Sequence, residues 1–478
     1  MSTRNYTYYD LTQSLCSKCL NLIQAKVVFQ ESNVYLLKYC PKHGKEKVLI
    51  STDIEYYKRC RDYIKPGDTP LKFDMPVKYG CPYDCGLCVD HEQHSCVSIV
   101  EITDRCNLTC QTCYAGSSPT YGRHRTLDEV KAMLDSVVEH EGKPDIVQIS
   151  GGEPTIHPNF FEILDYAVTL PIRHIMINTN GIKISNSKEF TERLKSYDAI
   201  GTDKPAIEIY LQFDSFKPEA LIKMRGRDLS ITREKCLKRL NKFNIHTTLV
   251  ATIEKGLNDD ELGEIINFAV KQKCVRGVTF QPTQFAGRVE NFNPKINKYT
   301  LSETRNDILN QTDLFKSGDI IPVPCNPDSI AMGYALKLGN KVTPLTSMVD
   351  PEVFLDTRNT ILLEQDEDLQ KHLVNVFSTS KSGDNLASDL HSLLCCLPKI
   401  VAPKLTYENI FRVIILKFMD AHDFDVRAVK KSCVHIVNKD NKLIPFETMN
   451  LFYRDDKIDY LDNIKNEFDS RFDAKYGN

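Results

Sequence analysis

The sequence predicts an α/β protein built on a partial barrel of six βα units, with a small metal-binding module before it and a mixed α+β region after it. Two patterns predict this fold: β-forming runs alternate with amphipathic helical runs through the middle of the chain, and cysteines crowd its first quarter. The 478 residues are 41% hydrophobic and 26% charged, which excludes a disordered or fibrous protein.

Six short runs of β-forming residues define the predicted barrel. The helix after the first run is marked by Thr126 and Glu129, which have the spacing of a capping box, and it is ended by Gly142 and Pro144. Crossovers between parallel strands are right-handed, so the loops that follow the strands should share one functional face. The predicted strands are residues 98–103, 145–150, 174–180, 207–214, 247–253 and 277–283.

The charge balance and hydropathy bear on partners and location. The chain has 61 Lys and Arg against 64 Asp and Glu, without the basic excess that nucleic-acid binding favours, so we expect no nucleic-acid partner. No run of 18 uncharged apolar residues occurs, so we expect a cytoplasmic protein. The amphipathic run at 406–420 favours a buried helix, although a peripheral contact with the inner membrane face stays open.

Seventeen cysteines in a chain of this length indicate bound metal rather than disulfides, because the cytosol keeps thiols reduced. The first group forms two knuckles whose four ligands can close a tetrahedron around one ion. A histidine as fourth ligand favours structural zinc, although iron is compatible with the set. The four residues are Cys16, Cys19, Cys40 and His43.

The second group consists of Cys81, Cys85, Cys88 and Cys96. Three closely spaced thiolates and a fourth on a short loop suit a 4Fe–4S cluster in which every iron has a protein ligand. A second zinc site and metal-free cysteines are the alternatives.

The third group follows the first predicted strand directly and has no fourth cysteine nearby. It consists of Cys106, Cys110 and Cys113. An iron–sulfur cluster held by these three thiolates would have one iron without a protein ligand. Such an iron can bind the amino and carboxylate groups of a cofactor and pass it one electron. Directly after the second strand, Gly151 and Gly152 let the backbone approach a ligand, and Glu153 can accept a hydrogen bond from a cationic amine.

The CNLTCQTC motif at 106–113, the GGEPT motif at 151–155 and the six βα units together resemble the radical S-adenosylmethionine (SAM) superfamily. This resemblance implies that the third cysteine group holds a catalytic 4Fe–4S cluster. The cluster would reduce bound SAM to methionine and a 5′-deoxyadenosyl radical, which takes hydrogen from an unactivated carbon.

The resemblance also implies roles for residues at the ends of the predicted strands. Gly151, Gly152 and Glu153 would hold the methionine moiety of SAM. Asn180 and Asp214, at the ends of the third and fourth strands, are candidates for ribose or amino contacts. Asn and Asp also end strands as turn formers, so that alternative stays open for both.

A narrower resemblance rests on the CPKHG knuckle, the GCPYDCGLCVDHEQHSC segment at 80–96 and the VRGVTFQPTQFAGR segment at 275–288. These are similar to the family that contains archaeal tetraether lipid synthase, whose members are often labelled dihydro-hydroxymethylpterin methyltransferases. The family implies an N-terminal rubredoxin-like module and auxiliary clusters. Asp328 and Glu447 stand where further cysteines are expected, so a third cluster stays open; the thiols that could converge there are Cys325, Cys395, Cys396 and Cys433.

Four domains are expected from these patterns. They are a rubredoxin-like or zinc-ribbon module at 1–65, an auxiliary-cluster segment at 66–97, the radical SAM core at 98–290, and a C-terminal region at 291–478 that shapes and caps the substrate site.

The leading hypothesis for function is a radical SAM enzyme that forms a carbon–carbon bond on a lipid. The alternatives are radical methylation of a pterin or similar heterocycle, and a non-catalytic iron–sulfur protein of electron transfer or maturation. The expected cofactors are SAM, a catalytic and an auxiliary 4Fe–4S cluster, and one zinc or iron ion. The expected partners are a small-molecule or lipid substrate and a reductase such as ferredoxin or flavodoxin.

Overall fold

The computed structural model describes residues 4–198, 205–338, 341–362 and 409–476. Its first part is an antiparallel sheet of four strands in the order β1-β2-β3-β4. Tight turns join β1 to β2 and β3 to β4, and these turns carry the first cysteine group. The strands are β1 Thr7–Leu15, β2 Leu22–Gln30, β3 Asn33–Cys40 and β4 Gly44–Ser51.

The second sheet contains the predicted barrel. Six parallel strands lie side by side in sequence order, and each overlaps one of the six predicted runs, which confirms the partial (β/α)6 barrel. Helices cover the outer face, so the strands are buried on both sides. The strands are β5 Val97–Thr103, β6 Ile146–Gly151, β7 His174–Thr179, β8 Ala206–Gln212, β9 Thr247–Ile253 and β10 Val275–Pro282.

Strands from the C-terminal region extend this sheet at both edges. β14 pairs parallel to β10, β15 pairs parallel to β5, and the remaining strands pair antiparallel beyond them. The expectation of a buried helix at 406–420 is wrong for residues 410–416, because IFRVIIL is rich in β-branched residues and fills a buried strand position. The added strands are β11 Ile321–Pro322, β12 Ile330–Leu338, β13 Lys341–Pro344, β14 Ile410–Leu416, β15 Val434–Val437 and β16 Leu443–Pro445.

The helices connect the strands and pack on the outer face of the barrel. Thr126 and Glu129 form the capping box that their spacing predicts, and Gly142 ends that helix with φ +65°. No helix within the described ranges is long and apolar enough to cross a membrane. The helices are α1 Ile54–Asp62, α2 Leu127–Glu141, α3 Phe160–Ala167, α4 Ile182–Asn186, α5 Lys188–Lys195, α6 Pro218–Arg225, α7 Ser230–Phe243, α8 Leu262–Lys271, α9 Pro294–Asn297, α10 Leu301–Gln311, α11 Pro351–Asp356, α12 Val426–Lys430, α13 Phe446–Thr448 and α14 Ile458–Tyr476.

A buried ion pair ties the C-terminal region to the first barrel strand. Arg454 donates to both carboxylate oxygens of Glu101 on β5, over 2.6 and 2.9 Å. The Glu101 side chain is 4% exposed and that of Arg454 is 16% exposed. Loss of one partner would therefore leave a charge without compensation in a poorly solvated position.

We expect Arg454→Met to destabilise the protein by about 3 kcal/mol, because it leaves the Glu101 carboxylate buried without a partner. The matched control is Arg471→Met, which removes an exposed pair with Glu467 on α14 and should cost no more than about 0.5 kcal/mol. The measurement is the midpoint of thermal unfolding for anaerobically purified protein. Equal midpoints for the two variants would contradict the structural role of the Arg454–Glu101 pair.

Candidate active site and metal centres

The two turns of the N-terminal sheet bring the first predicted ligand set together. The Sγ atoms of Cys19 and Cys40 are 3.9 Å apart, and Nδ1 of His43 lies 3.4 Å from Sγ of Cys16 and 3.6 Å from that of Cys40. A metal–sulfur bond of about 2.3 Å gives a tetrahedron with edges of roughly 3.8 Å, so these four side chains fit one zinc ion. Burial opposes ionisation of Cys40, but backbone N–H groups of Lys42 and His43 and the His43 ring lower its pKa to about 6.

The third cysteine group lies in the loop that follows β5. The Cys106 and Cys110 side chains are buried and that of Cys113 is half-buried, and all three line one cavity at the carboxyl edge of the parallel sheet. Arg288, in the segment that follows the last barrel strand β10, holds this loop in place. Its guanidinium donates to the carbonyl oxygens of Cys110, Gly116 and Ser117 over 2.6 to 2.7 Å.

The two glycines after β6 allow a close backbone approach to the cysteine loop. The N–H of Gly152 donates to the carbonyl of Thr103 at 2.7 Å, and that of Glu153 donates to the carbonyl of Arg105 at 2.9 Å. A Cβ atom on Gly151 would lie 2.2 Å from the Thr103 oxygen, and one on Gly152 would lie 2.2 Å from the Arg105 oxygen. No side chain fits at either position without displacement of the loop.

Glu153 is buried and bound by donors of its own chain. Its Oε1 accepts from the hydroxyls of Thr155 and Thr179 at 2.6 and 2.7 Å, and its Oε2 accepts from the backbone N–H of Asn180 at 2.8 Å. Burial raises the pKa of the carboxyl group against the effect of these donors. Asn180 lines the cavity and donates through Nδ2 to Asn107 at 2.7 Å. Contacts of Glu153 and Asn180 with SAM stay predictions.

Two arginines bind the carboxylate of Asp214, and its contact with SAM stays a prediction. Arg225 donates to it through Nε and Nη2 over 2.9 and 2.5 Å, and Arg233 donates over 2.6 Å. Burial opposes ionisation, yet the two guanidinium groups lower the pKa of Asp214. Asp214 is fully buried, whereas Arg225 lines the cavity, where its charge opposes the effect of burial on the pKa of Cys110. Arg225 therefore faces the site, with Asp214 behind it.

The residues around the three thiols are suited to hold an iron–sulfur cluster. Thr112, between Cys110 and Cys113, has a buried Oγ1 without a hydrogen-bond partner among the described residues. Burial also raises the pKa of Cys106 to about 12, so a free thiol there would be uncharged. Three thiols, an unsatisfied hydroxyl and the glycine cradle suit a cluster that leaves one iron for a cofactor.

The second predicted group is only partly brought together. The neighbouring Cys81 thiol, burial and the charge of Glu447 raise the pKa of Cys85, and burial together with Cys85 raises the pKa of Cys88. Tyr453 braces this loop by donating to the carbonyl of Tyr83 at 2.7 Å and accepting from the N–H of Cys85 at 2.8 Å.

The expectation that Cys96 completes this second group is contradicted. Its thiol lies instead with Cys325 and Cys433, and the three Sγ atoms are within 4.8 Å of one another. The physical reason is strand pairing: Val434 pairs with Val97 in parallel register, which places Cys433 beside Cys96. Cys395 and Cys396 lie outside the described residues.

The cavity continues from the cysteine loop into the barrel and has a volume of about 200 Å³. Apolar side chains of the inner strands and of the C-terminal region form its walls, among them Met176, Val250 and Phe446. Polar side chains also line it between these apolar surfaces. Among them are Gln148, Tyr210, Thr248, Thr279 and Gln281.

A buried charged network closes the inner end of the cavity. Arg412 lines the cavity and donates to both carboxylate oxygens of Glu208 over 3.0 and 3.2 Å, and Nε2 of His174 lies 2.9 Å from the same carboxylate. The Arg412 charge and the His174 hydrogen bond outweigh burial and hold the pKa of Glu208 well below its usual range. Sequence reasoning missed this network, because its members come from β7, β8 and β14 and share no motif.

Comparison with known proteins supplies the family. Residues 100–269 match the Radical SAM superfamily, and residues 8–52 match the HMPTM N-terminal zinc ribbon domain. The chain is 29% identical to 7,8-dihydro-6-hydroxymethylpterin dimethyltransferase of Methanocaldococcus jannaschii, over 93% of this chain and 94% of that protein.

Two further relatives match only part of their own length. A probable GTP 3′,8-cyclase of Methanosarcina mazei is 28% identical over 42% of this chain and 57% of its own. The subtilosin biosynthesis protein AlbA of Bacillus subtilis is 32% identical over 33% of each chain. Among solved structures, Streptococcus suis SuiB bound to S-adenosylmethionine has 19% identity and a TM-score of 0.36 over 45% of this chain and 46% of that one.

The family matches and the cysteine groups confirm the expected cofactors, which are SAM, a catalytic 4Fe–4S cluster, an auxiliary cluster and a zinc ion. They also favour an enzyme over a non-catalytic electron carrier. The chain thus carries a radical SAM superfamily domain behind an N-terminal zinc ribbon domain, and it is a radical SAM enzyme.

Proposed function

We propose that this protein is a radical SAM methyltransferase whose substrate is a reduced pterin or a heterocycle of similar size. The observation that carries the proposal is the character of the inner cavity, which combines apolar walls with hydrogen-bonding side chains and ends at the Arg412–Glu208 pair. The name of the Methanocaldococcus jannaschii relative, a pterin dimethyltransferase that aligns over nearly its whole length, supports the same substrate class.

The polar lining suits the edge of a heterocycle. Gln148 and Gln281 each offer an amide donor and acceptor, and the hydroxyls of Thr248 and Thr279 lie on neighbouring strands. Ring nitrogens, an amino group and a carbonyl of a pterin would pair with such groups, and apolar side chains would cover its faces. Thr248 donates to Glu208 and Gln281 donates to Tyr210, so a long alkyl chain would leave unused only the hydrogen-bonding capacity that remains beyond these contacts.

The cluster and SAM, when bound, would supply the radical that removes hydrogen from the substrate. A second SAM would supply the methyl group and leave as S-adenosylhomocysteine, and the reductant would provide one electron for each SAM consumed. The residues of the chain orient SAM and the substrate and shield them from water. We propose that Gly151 and Gly152 give the methionine moiety access to the cluster, and that Glu153 positions Asn180 at the cavity wall. Arg225 would place a positive charge against the Cys110 ligand. The C-terminal strands would close the barrel at its edges and exclude water.

The test is anaerobic turnover with 7,8-dihydro-6-hydroxymethylpterin, SAM and a reductant, either dithionite or a reduced flavodoxin. We expect 5′-deoxyadenosine formation that increases when the pterin is added, together with pterin product that is heavier by one or two methyl groups. Mass spectrometry of both products is the measurement. Unchanged pterin, with 5′-deoxyadenosine that responds to a long-chain ether lipid instead, would overturn the proposal and favour the lipid hypothesis.

Replacement of the cysteines in the β5 loop tests the site assignment. We expect Cys106→Ala, Cys110→Ala and Cys113→Ala each to lose about four irons per chain and all 5′-deoxyadenosine formation, because three thiolates are the smallest set that holds the cluster. Cys236→Ala, which changes a buried thiol on α7, should keep its iron and activity. Full cleavage of SAM by the Cys110→Ala variant would exclude this loop as the catalytic centre.

Arg225 offers a second test of the same loop. Its guanidinium charge interacts with the Cys110 thiol, and positive charge near a cluster makes reduction of the cluster more favourable. We expect Arg225→Met to lower the reduction potential of the catalytic cluster and to slow SAM cleavage by on the order of tenfold, the effect of about 1.4 kcal/mol.

The matched control is Arg227→Met, two residues further on and exposed to solvent, which should match the unchanged protein. The measurements are a redox titration followed by electron paramagnetic resonance and the rate of 5′-deoxyadenosine release. Equal potentials for the two variants would show that Arg225 has only a structural role.

A further inference from the structure

Three cysteines from distant parts of the chain converge at the amino ends of the parallel strands. Cys96 directly precedes β5, Cys433 directly precedes β15, and Cys325 lies in the loop after β11. Their side chains are at most 1% exposed. Strand pairing explains why Cys96 and Cys433 are neighbours, but it does not require the third thiol, which comes from another segment.

The spacing of the three sulfur atoms indicates a single ion rather than a cluster. The Sγ atoms of Cys325 and Cys433 are 3.4 Å apart, and all three lie within 4.8 Å of one another. Four ligand atoms around one zinc ion lie roughly 3.8 Å apart. Thiolates on separate irons of a cubane lie on the order of 6 Å apart, because each binds its own metal.

Two other cysteine sites of this chain, the zinc ribbon and the β5 loop, can be compared with this one in the spacing of their ligand atoms. The four ligand atoms of the zinc ribbon, from Cys16 to His43, also lie within 4.8 Å of one another. The catalytic trio in the β5 loop does not meet this limit among the described residues, as expected for a cubane. The Cys96 group therefore has the geometry of the mononuclear centre.

A histidine side chain lies next to the three thiols. Nε2 of His94 is 3.5 Å from Sγ of Cys96 and 2.6 Å from the carbonyl oxygen of Asn359. Nδ1 of His94 is 2.8 Å from Oε2 of Glu141, and both side chains are buried. Both ring nitrogens thus bond oxygen acceptors, so His94 lies beside the three thiols without joining their ligand set.

We propose that Cys96, Cys325 and Cys433 bind a second zinc ion through their three thiolates, separate from the zinc ribbon and from the iron–sulfur clusters. Three thiolates at this spacing fit three of the four corners of the tetrahedron around a zinc ion. The ion would join the first barrel strand, the C-terminal hairpin and the loop after β11 at the edge of the sheet opposite the catalytic loop. This proposal does not depend on the identity of the substrate.

The test is a count of zinc and iron per chain in anaerobically purified full-length protein. We expect about two zinc ions in the unchanged protein and about one in Cys433→Ser, with the iron content equal in both. Cys19→Ser, which breaks the ribbon site, should also keep about one, and the double variant should have none. Cys274→Ser, which changes a buried thiol outside every group, is the control and should keep both ions.

A loss of about four irons in Cys433→Ser, with zinc unchanged, would overturn the proposal in favour of a cluster. An unchanged metal content, or an intact mass that shows a Cys325–Cys433 disulfide, would also overturn it. If Cys433→Ser does not fold, X-ray absorption at the zinc edge of Cys19→Ser addresses the remaining ion. We expect three sulfur neighbours, whereas a shell of oxygen and nitrogen alone would refute the site.

Discussion

The site depends on one close approach between two backbone segments. The carboxyl ends of β5 and β6 are neighbours, and hydrogen bonds from Gly152 and Glu153 to the carbonyls of Thr103 and Arg105 join the segments that follow them. Since neither Gly151 nor Gly152 has room for a Cβ atom, this contact is possible only with glycine. It places the cysteine loop, the glycine pair and the end of β7 around one cavity.

Much of the fold was predictable because its signals are local. Each barrel strand is a short run of β-forming residues, and the first helix has its cap and its terminating glycine within a few positions of its ends. The ribbon ligands were predictable for the same reason, since each pair brackets one turn. The strands β14 and β15 were not, because their places beside β10 and β5 are set by pairing across hundreds of residues.

The differences between the predicted and the observed site have the same origin. Cys96 follows Cys88 closely in sequence, which suggested a shared cluster, but its neighbours in space come from β15 and from the loop after β11. Asp214 ends a strand where a ligand contact is common, yet Arg225 and Arg233 follow it on the next two helices and bind its carboxylate. Sequence position showed that these residues lie near the site, but not which of them face it.

The pairing of β15 with β5 has a consequence for how the chain matures. During synthesis β5 is made well before its outer neighbour at 434–437. Until then one side of β5 presents unpaired backbone groups, which are prone to association with other chains. The adjacent cysteine loop is therefore made before this edge can be paired, and a cell that makes the protein must protect an open sheet beside oxygen-sensitive thiols.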